Sequence, residues 1–169
     1  MSRHDARISW RADAKFVSGD YSRAHDWTFD GGQVVRGSSS PSVVPEPRSD
    51  PFGVDPEEAL VAAVSSCHML WFLSLAQQAG FDVASYDDDA AGKMGRIAPG
   101  KQALIRIVLR PDIRFVGREP GEAELAALHH EAHERCFIAN SLKSEVVVEA
   151  AQPLQAKPDP FISSEVEKR

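Results

Sequence analysis

The chain has 169 residues, of which 43% are hydrophobic and 26% are charged, and its formal net charge is −6. This length suits a single domain with its own hydrophobic core, and the composition is that of an ordinary globular protein. Because the charge is negative and no Lys/Arg cluster occurs, we expect no nucleic acid partner. Residues 1–16 carry scattered charges and lack the apolar segment of a secretory signal, so the expected location is the cytoplasm.

The N-terminal part of the chain predicts a small antiparallel sheet followed by a long loop. Residues 7–16 alternate in hydrophobicity as a strand would, and residues 21–29 predict a second strand that ends at a Gly-Gly turn. Residues 33–36 predict a short third strand. Residues 37–53 contain four prolines and predict a crossing loop, which at this length is either functional or flexible.

The stretch from Asp55 to Gly80 predicts a long central helix. Asp55 can cap the helix, and Glu58 stands three residues later, as a capping box requires. Gly80 is typical of the position just past a helix end. Apolar and small residues occupy every side of this helix, so we expect it to be buried all round. We expect no membrane span, because polar residues interrupt the centre of the helix: Ser65, Ser66, Cys67 and His68.

The second half of the chain predicts more strands, including a hairpin, around a second helix. The helix is expected at residues 120–135, and a polar C-terminal tail at residues 153–169. The strands are expected at residues 81–86, 91–97, 103–110 and 143–151, with an extended continuation at 112–117. Strands, a buried helix, strands, a helix and a final strand together indicate an α+β fold in one domain.

The two cysteines, Cys67 in the central helix and Cys136 after the second helix, are the candidate reactive groups. The thiolate is the nucleophilic form of cysteine, and an ordinary thiol with a pKa of about 8.5 supplies only a small fraction of it at neutral pH. Cys67 lies too far along its helix to be activated by the N-terminus, so a reactive Cys67 requires a cation from elsewhere. The other interpretation, two buried small hydrophobic residues, stays open at this point.

Two motifs surround these cysteines. The first is a Pro56-Glu57 pair followed by an Ala-rich apolar helix, with Cys67 ten residues after the glutamate. The second is Cys136 with Asn140 four residues later, followed by a Val-rich strand. The paired motifs resemble those of the OsmC/Ohr family, the osmotically inducible and organic hydroperoxide resistance proteins. The resemblance covers nearly the whole chain, residues 1–169, in the same order of elements.

The resemblance implies an OsmC-like fold and an intertwined homodimer with two active sites at the subunit interface. It matches Cys67 to the peroxidatic cysteine and Cys136 to the resolving cysteine. Glu57 matches the acidic residue that orients an active-site arginine, and Arg23 is the best positional match for that arginine. Weaker matches for the arginine are Arg36 and Arg48.

The implied function is the reduction of organic hydroperoxides to alcohols without a cofactor. The Cys67 thiolate would attack the O–O bond and become a sulfenic acid, which would condense with Cys136 to form a disulfide. A small dithiol, of lipoyl type in the family, would reduce that disulfide by exchange. Apolar residues that could line a substrate pocket are Met69, Leu70, Trp71, Phe72 and Phe137.

The spacing of Glu57 and Cys67 bears on the expected dimer. Ten residues of helix separate them by about 15 Å along the axis and by roughly 80° around it. They cannot meet within one straight helix, whereas two copies packed antiparallel could bring Glu57 of one chain to Cys67 of the other. We therefore predict a composite site.

Histidines near the cysteines depart from the family pattern and indicate a side branch of it. His68 follows Cys67 directly, while His129, His130 and His133 precede Cys136. His129 and His133 are four residues apart, a spacing that can bind metal, so a zinc site is a weaker alternative and no metal is expected. The alternative function is an OsmC-shaped dimer that binds a ligand or metal without turnover. A Cys/His acyl-transfer enzyme is disfavoured, because no third orienting residue is evident.

Overall fold

The computed structural model describes residues 2–149, and its first three strands form the expected antiparallel meander. These strands are β1 (Ala6–Ser9), β2 (His25–Phe29) and β3 (Val34–Gly37), paired in that order. The long crossing loop then runs back along this sheet, where Ser38 N donates to the carbonyl oxygen of Val54 at 3.1 Å.

The first two strands are shorter than the sequence pattern predicts. The apolar residues from Trp10 onward do not continue the ladder. Instead, the rings of Trp10, Phe16 and Tyr21 contact one another, with centroid distances from 4.9 to 5.6 Å. The Trp10 indole N–H donates to the carbonyl oxygen of Ser22 at 2.9 Å. The alternation over residues 10–16 therefore reflects an aromatic cluster formed across a turn.

The central helix is confirmed as α1 (Pro56–Gln78). Its capping box is formed in both directions: Glu58 N donates to Asp55 Oδ1 at 2.8 Å, and Asp55 N donates to Glu58 Oε2 at 3.1 Å. At the other end Gly80 has φ of 77°, the left-handed conformation that glycine adopts without strain.

The prediction that α1 is buried on all sides is wrong within a single chain. Only one face, spaced by four residues, is buried, and it consists of Val64, His68, Phe72 and Ala76. On another face Leu70 is 61% exposed. By length and composition alone α1 could cross a membrane, but its buried face packs in the core of the domain, as expected of a core helix.

The rest of the fold consists of two small sheets and two helices. Strand β4 (Asp82–Asp88) pairs antiparallel with β7 (Pro111–Val116), so the expected extended continuation is a paired strand. The predicted hairpin is confirmed as β5 (Ala91–Ala98) and β6 (Lys101–Leu109), and β8 (Glu145–Val148) runs parallel to β6. The helices are α2 (Glu122–Arg135) and the short α3 (Phe137–Asn140).

Two apolar clusters lie on either side of the middle of α1. One joins Phe72 and Ala76 to Phe81 and Ala132, which places α2 and the β4–β7 sheet against the C-terminal half of the helix. The other joins Val64 to Ile107 and Leu109, which places β6 against the N-terminal half. The centre of α1, which carries Cys67, is thereby held on both sides. The predicted tail at residues 153–169 lies outside the described residues.

Candidate thiol site

The fold brings together two thiols that are far apart in the sequence. Cys136 ends α2, and its Sγ lies 4.0 Å from the carbonyl oxygen of Val64, one turn before Cys67 on α1. The Cys67 side chain is close enough to interact with the Cys136 thiol. Both cysteines are free thiols, Cys67 half-buried and Cys136 buried.

Cys136 is the more enclosed of the two sulfurs. It is 1% exposed, and the backbone N–H of Ala139 donates to its Sγ at 3.4 Å, so the sulfur also caps the start of α3. Burial raises the pKa of the Cys136 thiol to about 11; the Ala139 N–H opposes this rise and the Cys67 side chain adds to it. Cys136 is therefore a protonated thiol at neutral pH, and Cys67 is the less buried residue of the two.

Arg23 lies beside the N-terminal end of α1 of the same chain. Its guanidinium carbon is 5.4 Å from the centre of the Tyr21 ring, and its Nε is buried without a hydrogen-bond partner. The residue lines a cavity that Pro56, the first residue of α1, also lines. Cys67 is eleven residues further along the helix, or about 16 Å. Within one chain Arg23 therefore lies beside the first turn of α1, about three turns before Cys67.

Of the two weaker arginine candidates, only Arg36 has a side chain that is paired elsewhere in the N-terminal part. Arg36 forms ion pairs with Asp50 at 3.4 Å and Asp26 at 3.8 Å. The carbonyl oxygen of Arg48 accepts a hydrogen bond from Arg23 N at 2.8 Å. Within residues 2–149 neither Arg23 nor Arg48 forms an ion pair, so either guanidinium is available to a further group, and Arg23 Nε is buried without a hydrogen-bond partner.

Glu57 opens onto a separate cavity of about 600 Å³ that runs along one side of α1. The cavity is also lined by Ser65, Ser66 and Met69 from the helix and by Asp88 from β4. Glu57 forms no salt bridge with any residue in the described part of the chain. The acidic residue expected to hold the active-site arginine therefore has no basic partner among residues 2–149.

The five apolar residues expected to line a substrate pocket do not share one cavity. Met69 lines the cavity beside Glu57, whereas Phe72 belongs to the core. Trp71 and Phe137 contact each other edge to face at 5.7 Å, and Phe137 is 70% exposed. Leu70 points away from the core.

Sequence reasoning missed a second apolar cavity, of about 420 Å³, beside Arg23. Its walls include the aromatic cluster of Trp10, Phe16 and Tyr21, together with Ser39, whose hydroxyl is buried without a partner. The signal was present in the sequence, because three aromatic residues precede Arg23 within 13 positions. The prediction that residues 7–16 form one strand placed Trp10 and Phe16 in a ladder, and so the aromatic cluster was missed.

His68 and His129 form a stacked pair in which His68 is buried and His129 is half-buried. His68 Nε2 and His129 Nδ1 are 3.1 Å apart, and the rings stack with centroids 5.4 Å apart. Burial lowers the pKa of His68 to about 4, with smaller contributions from the nearby His129 and His133. Burial also lowers the pKa of His129 to about 4, against an opposing effect of Asp88. Both imidazoles are therefore neutral at pH 7.

The partners of the His68 ring indicate where its proton lies. Its Nδ1 is buried without a hydrogen-bond partner. A buried N–H left unpaired costs more than an unused lone pair, so the proton is placed on Nε2 and donated to His129 Nδ1. Across residues 2–149 no group of three His, Cys, Asp or Glu side chains is arranged to hold a metal ion, so this part of the chain gives the zinc alternative no support.

Comparison with known families settles what kind of protein carries this arrangement. Residues 48–151 match the model of the OsmC-like proteins. The chain belongs to the OsmC-like family. An OsmC-like protein of unknown function from Vibrio cholerae is 49% identical and superposes with a TM-score of 0.86, over 89% of this chain and 99% of that one. A comparison with curated proteins found no match.

More distant OsmC-like structures share the fold. An organic hydroperoxide resistance protein from Elizabethkingia anophelis is 16% identical, with a TM-score of 0.68, over 90% of this chain and 98% of that one. An organic hydroperoxide resistance protein OsmC from Legionella pneumophila is 12% identical, with a TM-score of 0.62, over 89% and 96%. At these identities the likeness shows the fold alone.

Proposed function

We propose that this OsmC-like protein is a thiol-dependent peroxidase that reduces organic hydroperoxides to alcohols. The observation that carries the proposal is the placement of a half-buried Cys67 against a buried Cys136, both as free thiols. Two relatives of the same fold are named organic hydroperoxide resistance proteins, which favours this chemistry over other uses of a thiol pair.

The reaction has three steps, each balanced in electrons. The Cys67 thiolate attacks one peroxide oxygen, the O–O bond breaks, and the alkoxide takes a proton to leave as an alcohol. Sulfur is oxidised by two electrons to a sulfenic acid as the peroxide is reduced. The Cys136 thiol then forms the disulfide with release of water, and a small dithiol of lipoyl type restores both thiols through a mixed disulfide.

The difference in burial between the two sulfurs supports separate roles for them. Because burial raises the pKa of Cys136 to about 11, this thiol keeps its proton and does not compete for the peroxide. Its proton leaves with the hydroxyl of the sulfenic acid as water when the disulfide forms. The more accessible Cys67 is accordingly the peroxidatic residue and Cys136 the resolving residue.

We propose further that the active protein is a homodimer with composite sites. Among residues 2–149 neither Arg23 nor Glu57 forms an ion pair, and the cavity along α1 leaves a face of the central helix uncovered. A second copy would cover that face and bring its Arg23 to Cys67. There the guanidinium would stabilise the thiolate, and Glu57 could hold the guanidinium through a bidentate pair.

The aromatic cavity beside Arg23 supports an organic substrate. Trp10, Phe16 and Tyr21 offer ring faces next to the guanidinium, so an organic group could pack there while the O–O group lies towards the cation. Hydrogen peroxide has no group to fill such a cavity.

Intact mass spectrometry tests the chemistry. One equivalent of cumene hydroperoxide should remove two hydrogens from the wild-type chain, as a disulfide requires. Cys136→Ser should instead gain one oxygen and lose multiple turnover with a dithiol, and Cys67→Ser should stay unchanged. Normal turnover by C136S would show that Cys136 does not resolve the intermediate. An unchanged wild-type mass with bound zinc would favour the ligand- or metal-binding alternative.

Complementation tests the composite site. Arg23→Ala and Cys67→Ser should each be inactive alone. When the two variants are unfolded and refolded together in equal amounts, half of the dimers contain one chain of each kind. Each such dimer has one intact site. The mixture should therefore regain about one quarter of the wild-type activity. No recovery, from variants that do form mixed dimers, would mean that each site is built from a single chain.

A further inference from the structure

We infer that His25 is a positioning residue for Arg23, an inference that rests on the role proposed for Arg23 in the peroxidase site. His25 begins β2 two residues after Arg23, and its Nδ1 lies 2.8 Å from the carbonyl oxygen of Arg23. Its other ring nitrogen, Nε2, lies 2.6 Å from the indole nitrogen of Trp27. The imidazole thus connects the start of the strand to the backbone of the arginine.

The chemistry of the two partners assigns the proton on the ring. An indole N–H only donates, so His25 Nε2 must accept from Trp27. A carbonyl oxygen only accepts, so His25 Nδ1 must carry the proton that it donates to Arg23. Only the neutral ring protonated at Nδ1 makes both bonds.

Gly37 allows the two rings to take these places. In the register of β2 with β3, His25 stands opposite Gly37. A Cβ at position 37 would lie 2.6 Å from Trp27 Nε1 and 2.7 Å from His25 Nε2, closer than atoms can approach without a shift. The bond between the two rings therefore crosses directly over a residue without a side chain.

The result is that Arg23 is held at both of its backbone polar groups. Its N–H donates to the carbonyl oxygen of Arg48 at 2.8 Å, and its carbonyl oxygen accepts from His25. Arg23 lies outside any strand, so these bonds replace the ladder that would otherwise fix its φ and ψ. Fixing the backbone directs the side chain into the aromatic cavity. Misplacement of a catalytic group by about 1 Å can cost up to about a hundredfold in rate.

Three substitutions at one position separate the bond to Arg23 from a general loss of packing. His25→Asn keeps an amide N–H at the place of Nδ1 and can still donate to the Arg23 carbonyl. His25→Gln places its amide at the level of Nε2 and keeps only the contact with Trp27. His25→Ala removes both bonds. Trp27→Phe keeps a ring but removes the donor that fixes the tautomer of His25.

The readouts are the second-order rate of Cys67 oxidation by cumene hydroperoxide and the pH profile of Cys67 alkylation. We expect H25N to keep most of the rate, and H25Q and H25A to lose about tenfold or more. Their alkylation profiles should shift to higher pH, because a misplaced guanidinium stabilises the thiolate less. The rate of Cys67 oxidation in W27F should lie between the rates in H25N and H25Q. Far-ultraviolet circular dichroism checks that every variant is folded.

Arg23→Ala distinguishes the ways in which the inference can fail. If R23A reacts as fast as wild type, the proposed role of Arg23 is overturned and the His25 inference falls with it. If R23A is slow while H25Q and H25A match wild type, only the His25 inference is overturned. Equal losses in H25N and H25Q would also overturn it, since the bond from Nδ1 would then not be the one that matters.

Discussion

Acid should weaken the fold through His68, the buried member of the His68–His129 pair. Burial lowers the pKa of His68 from 6.5 to about 4, so the folded protein holds this ring neutral where the unfolded chain protonates it. The stability that the neutral His68 ring contributes is therefore fully present above about pH 6.5, is lost as the pH drops towards about 4, and changes no further below that. A pKa lowered to this extent corresponds to about 3 kcal/mol of unfolding free energy lost at His68.

The matched variant for this prediction is His68→Gln. A glutamine amide can take the place of Nε2 and still donate to His129 Nδ1, but it does not titrate. Between about pH 7.5 and about pH 4.5, wild type should therefore lose on the order of 2–3 kcal/mol more than H68Q. His130→Gln, at an exposed position on α2 next to His129, is the control and should keep the wild-type dependence.

Urea unfolding followed by tryptophan fluorescence measures this difference. Each pH series must be run at one chain concentration, because association would otherwise shift the midpoints. Carboxylates also titrate in this range, so the comparison between variants, and not the wild-type curve alone, carries the information. Parallel curves for wild type and H68Q would refute the view that a neutral, buried His68 stabilises the fold.

Two further substitutions probe contacts that hold the site's surroundings. Gly53→Ala should cost about 1–3 kcal/mol, because its Cβ would lie 2.8 Å from a neighbouring Cβ, whereas Gly31→Ala, with nothing within 4 Å, should be nearly neutral. Equal unfolding midpoints would contradict this. Ser65→Ala removes a hydroxyl that donates to Asp88 Oδ2 at 2.5 Å and should cost about 1–2 kcal/mol. Ser66→Ala, at the exposed neighbouring position, should leave thermal unfolding unchanged.

The central helix was predictable because its signals are local. The capping box between Asp55 and Glu58 and the glycine at position 80 determine where α1 begins and ends without help from the rest of the fold. The burial of α1 was not predictable in the same way. An apolar surface shows that water is avoided, but not whether the same chain or another molecule covers it, and in one chain Leu70 stays exposed.

The candidate site was likewise predictable only where the signals are local. Cys67 and Cys136 could be named because short motifs accompany each of them. The stacking of His68 on His129 joins residues 61 positions apart, and nothing in the local pattern specifies which rings meet. The bonds that hold Arg23 could not be predicted either, because they depend on strand register and on an absent side chain at Gly37. Local spacing in the sequence therefore identifies candidate residues, whereas strand register and packing determine which of them contact each other.

The sulfur of Cys136 has two independent structural roles. It is the atom placed against the other thiol, and it is also the acceptor at which a new helix starts, since Ala139 N donates to it. Serine, a favoured helix N-cap, can take the capping role but not the role of the second thiol, and alanine can take neither. Replacing this sulfur by oxygen should therefore remove the proposed Cys67–Cys136 disulfide and keep the helix cap, so that the chemistry and the stability of the fold can be measured separately at one position.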